Sequence, residues 1–234
     1  MKRGLTGWAD ALKQRRTKDG LANTIVWMSQ KTVQAGTGVL LRRRSSYLLR
    51  RNTTSDVRPI RSTLPTEIRT VSVDEPRYLE GIRSPWTNWH RVFLKRWERG
   101  QVCLACLKDN RALGYIWISE IEERDERIGL TIRPERDETY GFDLYVLPEY
   151  RKCLIGFELV GQWLTCSRDA GKHVAIGVVE THNKPMLMLL RLAYGFKVWE
   201  QYDSLQFLSW RGIVFRRTSF AQDVLPKSSD HQAH

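Results

Sequence analysis

The residues with the clearest chemical potential lie in one short stretch, 146–159, which reads VLPEYRKCLIGFEL. The pattern predicts the end of a strand, a sharp turn and the start of a helix. The first-turn amides of a helix lack intrahelical partners, and the helix dipole favours negative charge beside them. We therefore expect this stretch to bind a phosphate group.

The stretch resembles the acyl-CoA-binding loop of the GNAT acetyltransferase superfamily. In that family a strand ending in V-x-P-x-[YF] is followed by [RQ]-x-x-G-x-[GA] at the start of a helix. The positions that fit are Val146, Pro148, Tyr150, Arg151, Ile155 and Gly156. Leu154 replaces the family's first glycine. Because binding needs only the amide, we expect the loop to tolerate Leu154 if its φ angle stays negative; a narrowed pocket or a weakened site is the alternative.

The resemblance implies acetyl-CoA, or another acyl-CoA, as an acyl donor. Main-chain groups at the strand end would bind its pantetheine arm, and the loop amides and basic side chains would bind its pyrophosphate. A second segment resembles the family pattern that leads from an asparagine through a helix to Gly195-Phe196, and its asparagine would face the donor's arm. The implied donor-binding residues are Val146, Leu147, Arg151, Lys152, Cys153, Leu154, Ile155, Gly156, Phe157 and Asn183.

Acid–base residues are harder to identify, because Arg191 occupies the position of the family's frequent tyrosine acid, four residues before Gly195. Tyr194 is interpreted either as that acid or as an aromatic packed at a helix C-terminus. A carboxylate or imidazole at a strand end can accept an amine proton directly or through water. The candidate catalytic residues are Glu180, His182, Asp143 and Tyr194, with Glu120 as a further carboxylate. A water chain without any dedicated base is the alternative.

The elements that would position these residues follow an α/β pattern from residue 64 onwards. Their predicted order is β-α-α-β-β-β-α-β-α-β-β, which is similar to the GNAT fold over 64–217. That fold is a mixed, mostly antiparallel sheet of six to seven strands, splayed in the middle, with helices on both faces. We expect a final hairpin that turns at 203–204, and an exposed loop or hairpin tip in the charged segment 122–138.

The positive charge is concentrated at the N-terminus. Residues 1–60 carry 13 Lys/Arg and 3 Asp/Glu, whereas the rest of the chain carries 25 and 23. We expect a basic, partly helical extension over 1–63 and a polar tail over 218–234. The nearly neutral remainder argues against nucleic-acid binding. The extension either packs on the domain, offers a basic surface to an acidic protein or an anionic membrane, or is a transit peptide. The oligomeric state is not indicated.

Composition excludes several classes of protein. No run of about 18 apolar residues occurs, and the N-terminus has no apolar secretion signal, so we expect a cytoplasmic protein. Cys103 and Cys106 fall three apart in a predicted buried strand, where they face opposite sides. We interpret them as small buried residues of a reducing compartment and expect no structural metal.

Three functional hypotheses follow. The first is an N-acyltransferase in which an amine, on a small molecule or a peptide, attacks the thioester of acyl-CoA directly. The second keeps the reaction but takes the acyl group from an acidic acyl carrier protein. The third is a GNAT-like binding module without turnover. The charged segment 122–138 favours a cationic acceptor or is simply a solvated surface.

Overall fold

The computed structural model of the 234-residue chain describes residues 41–83, 89–125, 129–207 and 210–219. Contacts divide the chain into two compact units, Met1–Arg43 with Leu205–Ile213, and Arg44–Ser204 with Val214–His234. The described part of the smaller unit consists of strand residues only. The larger unit contains the described helices and the residues that line the cleft.

A mixed, mostly antiparallel sheet is the framework of the fold. Its strand order is β10-β9-β1-β8-β7-β4-β3-β2, and only β7 and β8 among the paired registers run parallel. The strands of the sheet are β1 (Leu41–Asn52), β2 (Glu67–Val71), β3 (Val102–Lys108), β4 (Arg111–Ser119), β7 (Glu138–Val146), β8 (Val174–Glu180), β9 (Lys197–Phe207) and β10 (Trp210–Ser219). This architecture confirms the predicted fold class, with one strand more than the predicted six to seven.

The additional strand is β1, which differs from the predicted helical extension over 1–63. It pairs antiparallel with β8, from Ser46 opposite Glu180 to Asn52 opposite Val174. Its apolar residues become buried only by this non-local pairing. Two of its arginines, Arg44 and Arg50, form ion pairs there with Glu180 and Glu138 at 2.7 and 2.6 Å. Residues 1–40 of the predicted extension lie outside the described residues.

Helices cover both faces of the sheet. Because strand side chains alternate, Tyr115 and Trp117 of β4 share one face and Gly114 and Ile116 the other. Helix α1 (Trp89–Glu98) packs on the first face, where the Phe93 ring lies 5.2 Å from both aromatic rings. Helix α2 (Ile155–Asp169) packs on the second. Helix α3 (Lys184–Met188) continues as a π-helical turn, Leu189–Ala193.

Two further predictions concern the charged segment 122–138 and the turn at 203–204. The charged segment forms a small two-stranded sheet of β5 (Glu123–Asp125) and β6 (Leu130–Ile132), consistent with the expected hairpin. The predicted turn at 203–204 is wrong, because β9 continues without a break to Phe207. Asp203 is buried and accepts a hydrogen bond from the Ser45 hydroxyl, so its polarity serves a strand contact rather than a turn.

Candidate active site

A cleft opens where the two parallel strands β7 and β8 separate. Their paired register runs from Glu138 opposite Val174 to Gly141 opposite Gly177 and ends there. Beyond that point lies a cavity of about 380 Å³. Its apolar wall is formed by residues of β4, α2 and α3, namely Ile116, Val160, Trp163, Met186 and Leu190. The volume suits a small-molecule ligand.

Four residues predicted from the sequence meet in this cleft: Asp143, Glu180, His182 and Asn183. They come from β7, the end of β8 and the turn into α3. The strand order brings them together although up to 40 positions separate them along the chain. The predicted candidate Glu120 is instead held in an ion pair with Lys172 at 2.5 Å and does not line the cavity.

His182 and Glu180 lie side by side on the cleft wall. The His182 Nε2 atom lies 3.1 Å from Glu180 Oε2, and the other Glu180 oxygen is 2.7 Å from Arg44 Nη1. The Nε2 edge of the ring therefore faces a carboxylate, which can only accept a hydrogen bond. The His182 side chain is 76% exposed, so a ligand can reach it.

Asp143 occupies a different environment. It has a φ angle of +47°, and the register of β4 against β7 shifts beside it, between Tyr115 and Trp117. Its two carboxylate oxygens lie 2.5 Å from Arg83 Nη2 and 2.7 Å from Arg96 Nη1. Both oxygens are therefore engaged by arginines. The neighbouring Tyr115 hydroxyl is buried, and burial raises its pKa far above the ordinary range.

Asn183 caps α3. Its side-chain oxygen accepts a hydrogen bond from the Met186 amide at 3.3 Å, and its own amide donates to the Glu180 carbonyl at 2.9 Å. This cap satisfies one of the first-turn donors of the helix. The side-chain NH₂ group is left for a ligand in the cleft.

In the loop before α2, Leu154 adopts a backbone conformation that glycine usually occupies. Leu154 has φ +61° and ψ 12°, in the left-handed region. The condition set for tolerating Leu154, a negative φ angle, is therefore not met. A non-glycine residue costs about 1 kcal/mol at this angle.

The loop amides divide into free and engaged donors. In the described part of the chain, the amides of Lys152, Leu154, Ile155 and Gly156 donate no hydrogen bond to a protein acceptor. The other two predicted amides are engaged, because Cys153 donates to the Tyr150 carbonyl at 3.0 Å and Phe157 donates to the Leu154 carbonyl at 3.0 Å. Unpaired amides in the first turn of a helix are donors of the kind that bind anions.

The predicted residues at the end of β7 and in the loop differ in whether their polar groups are free to bind a ligand. The Leu147 amide donates to the Leu113 carbonyl at 2.9 Å, so it is not a free donor. Arg151 Nε donates to the Val146 carbonyl at 3.3 Å, which ties this side chain to the strand end. Lys152 is exposed. The charge of both basic side chains therefore stays at the surface beside the free amides.

Tyr194 belongs to the core and does not line the cleft. It is 3% exposed, and its hydroxyl donates a hydrogen bond to the Phe157 carbonyl at 2.6 Å. Burial raises its pKa to about 12. A Cβ atom at Gly161 would lie 2.8 Å from this hydroxyl, so a glycine is required for the contact. The geometry supports the packing interpretation of Tyr194 rather than a role as acid.

Sequence reasoning missed the three arginines that surround the candidates, Arg44, Arg83 and Arg96. No local pattern marks them, because each forms its ion pair with a carboxylate at least 47 positions away. The only available signal was that α1 contains several basic residues at helical spacing.

Other classes of site receive no support from the described residues. They contain no group of three or more His, Cys, Asp or Glu side chains that could hold a metal ion. The four cysteines carry free thiols, and burial raises the pKa of Cys106 to about 11 and that of Cys103 further. None of the helices in this part of the chain is both long and apolar enough to cross a membrane.

Similar solved structures include three acetyltransferases. A GNAT-family acetyltransferase from Colwellia psychrerythraea is 12% identical, with 71% of this chain and 56% of that chain covered and a TM-score of 0.49. A GCN5-related N-acetyltransferase from Sphaerobacter thermophilus is 12% identical, with 85% and 70% covered and a TM-score of 0.47. A ribosomal-protein-alanine N-acetyltransferase from Brucella melitensis is 20% identical, with 55% and 83% covered and a TM-score of 0.39.

The chain spans 57% and 66% of the length of two further matches, a Drosophila protein and a Staphylococcus epidermidis protein. Comparison with curated proteins found no match. The family assignment rests on a different comparison. The model of the acetyltransferase (GNAT) family matches residues 66–196, which is more than half of the chain and includes the loop, the cleft and α3. The chain therefore belongs to the GNAT acetyltransferase family.

Proposed function

We propose that the protein is an N-acyltransferase that moves an acyl group, most simply acetyl, from acyl-CoA to a primary amine. The observation that carries this proposal is the cleft between β7 and β8, with four free amides of the 152–156 loop nearby and a histidine–carboxylate pair on its wall. The amine nitrogen attacks the thioester carbonyl directly in a ternary complex. The products are an amide and the free thiol of CoA.

Donor binding divides between the loop and the cleft. The amides of Lys152, Leu154, Ile155 and Gly156 would bind the pyrophosphate, with the charge of Arg151 and Lys152 beside them. The pantetheine arm would lie along β7 beyond Gly141, where the register with β8 has ended. Asn183 would meet it from the opposite wall with its free NH₂ group.

The proton of the attacking amine would pass to His182. Because Nε2 faces Glu180 at 3.1 Å, Nδ1 would be the ring atom that accepts the proton. Arg44 holds the second oxygen of Glu180 and thereby keeps the carboxylate in place. His182 is the base in this account, and Glu180 and Arg44 are positioning residues.

The alternative of a carrier-protein donor drew on the basic N-terminal segment and an apolar cleft, with Leu154 as a compatible feature. The alternative of a non-catalytic module drew on Leu154, the absence of the family's tyrosine acid and the same basic segment. Leu154 has a positive φ, but within the described residues four loop amides still donate to no protein acceptor, which supports an acyl-CoA donor. A partner for residues 1–60, acidic protein or anionic membrane, remains a proposal, as does a cytoplasmic location.

The proposal is tested by measuring CoA release from acetyl-CoA with a panel of amines. We expect His182→Gln to lower kcat/KM about 100-fold while the Kd for acetyl-CoA stays unchanged. Glu180→Gln should shift the pH–rate profile, because it removes the negative charge beside the His182 ring, together with the ion pair to Arg44. His90→Gln, on exposed α1, is the matched control and should have no effect. Absence of CoA release with every amine would contradict the proposal.

A further inference from the structure

A second cavity, of about 440 Å³, lies on the α1 side of the sheet. We call it the α1 groove; α1, β5 and β7 contribute its lining. It shares two residues with the cleft, Phe142 and Asp143. The two cavities therefore adjoin at the point where β7 leaves β8. A molecule in the α1 groove would approach the cleft from the side opposite to α2.

One stripe, formed by α1 and by Arg99 directly after its last residue, lines this groove. Val92, Lys95, Arg96 and Arg99 follow one another at the i, i+3, i+4 and i+7 spacing that places side chains on one face of a helix. The stripe is apolar at one end, where Val92 is 47% exposed, and cationic along the rest. An exposed apolar side chain within a charged stripe suits a ligand that has an apolar part and a charged part.

The side of the groove on β7 is aromatic. Tyr140 and Phe142 stack with ring centroids 5.3 Å apart and an interplanar angle of 11°. The Arg96 guanidinium lies 4.9 Å from the centroid of the Phe142 ring. Tyr140 is only 1% exposed, so the partly buried Phe142 is the ring that an apolar ligand group can pack on, with the Arg96 cation at its edge.

Two carboxylates of the groove are already paired with arginines: Asp143 with Arg83 and Arg96, and Glu123 with Arg99 at 2.7 Å. These two carboxylates therefore offer no site for a cationic ligand. Lys95, by contrast, forms no ion pair within the described part of the chain. The groove is lined by four basic and three acidic side chains, so its formal balance is positive.

We propose that the α1 groove binds the acyl acceptor, and that this acceptor is an amine that carries an anionic group, a carboxylate or a phosphate. The anion binds at Lys95 and the neighbouring arginine edge, the apolar body packs on Phe142, and the amine points to the junction with the cleft. This inference rests on the proposed acyl transfer. It opposes the expectation, from the charged segment 122–138, of a cationic acceptor.

The test measures acetyl-CoA-dependent CoA release with matched amines. Phenylalanine is compared with phenylalaninamide, and aminoethyl phosphate with ethanolamine; spermidine and a lysine-rich peptide are the cationic members. The amide has the less basic amine, so more of it is neutral and reactive, and a preference for the acid cannot arise from the amine itself. We expect at least one anionic member to exceed its neutral partner about tenfold in kcat/KM.

Substitutions in α1 test whether the preference for anionic amines arises from the α1 groove. Lys95→Gln should lower kcat/KM for the preferred anionic amine about fivefold and leave its neutral partner unchanged. Arg91→Gln removes the same charge from α1 outside the lining of the groove and should change neither. In every variant the Kd for acetyl-CoA should stay that of the wild type.

The outcomes separate this inference from the proposed function. Equal turnover of the matched amines, preference for spermidine or the lysine-rich peptide, or failure of all anionic members in protein that binds acetyl-CoA would overturn the inference alone. Absence of acetyl-CoA binding would overturn the acyl transfer on which it rests.

Discussion

Gly141 and Gly177 are the last directly opposed residues of β7 and β8, and a large helical side chain lies against each of them. Atoms of the Trp163 ring lie 2.6 Å from where a Gly141 Cβ would be, and Leu190 Cδ1 lies 3.3 Å from that of Gly177. The indole is anchored by its Nε1, which donates to the Thr139 hydroxyl at 3.2 Å. The two glycines thus let α2 and α3 close the cleft at the point where it begins.

Gly141→Ala should destabilise the protein by about 2 kcal/mol, because its Cβ overlaps a ring that is buried and cannot move freely. Urea unfolding measures this. The matched control is Gly156→Ala, whose Cβ would meet nothing closer than 3.4 Å. Equal stability of the two variants would contradict the packing described for Trp163.

Leu154→Gly should raise the free energy of unfolding by about 0.5 kcal/mol, since relief of the left-handed strain exceeds the entropy that glycine adds to the unfolded chain. Leu154→Val should lower it by about 1 kcal/mol, because a β-branched residue tolerates a positive φ poorly. Urea unfolding of both variants is the measurement. The backbone assignment would be wrong if glycine destabilised the protein as much as valine.

Local pattern was sufficient for the parts of the fold that depend on neighbours in sequence. The 146–159 stretch, the helix that follows Asn183 and the strand end at Glu180 were all predicted, because each is a strand or helix end with a recognisable local signal. Their meeting in one cleft followed from the strand order that the family resemblance implied.

What the sequence concealed depends on contacts between distant segments. The run at 41–52 looks basic and amphipathic until β8 and the carboxylates of Glu138 and Glu180 are placed beside it. Leu154 gives no sign of a positive φ, because nothing in a leucine favours it. The arginines around Asp143 come from the residues before and within α1, and only the tertiary fold brings them to β7.

Tyr194→Phe should cost about 1 kcal/mol in stability and leave kcat unchanged, because the hydroxyl serves the Phe157 carbonyl and not the reaction. The pKa of Tyr194 is raised from 10.0 to about 12. Its contribution to stability is therefore complete below pH 10 and is lost as the pH rises through about 12, since the unfolded tyrosine ionises first. The difference in unfolding free energy between wild type and variant should shrink over that range. A large fall in kcat would return Tyr194 to the candidate acids.

Cysteine labelling should distinguish the loop from the core. With iodoacetamide at pH 8, the partly exposed Cys153 and Cys166 should react, whereas buried Cys103 and Cys106, whose pKa values are raised by burial, should not. Acetyl-CoA should slow the labelling of Cys153 and not that of Cys166, which lies 13 residues further along the chain and provides an internal control. Peptide mass mapping gives each rate. Equal protection of both cysteines would argue against binding at the loop.

The most direct test of the central claim is calorimetric titration of the protein with acetyl-CoA. The account predicts saturable binding that Gly156→Glu weakens at least tenfold, because a carboxylate beside the four free amides repels the pyrophosphate, whereas Gly156→Ala retains most of the affinity. A wild-type protein that binds no acetyl-CoA, or a Gly156→Glu variant that binds it as tightly as the wild type does, would contradict the account.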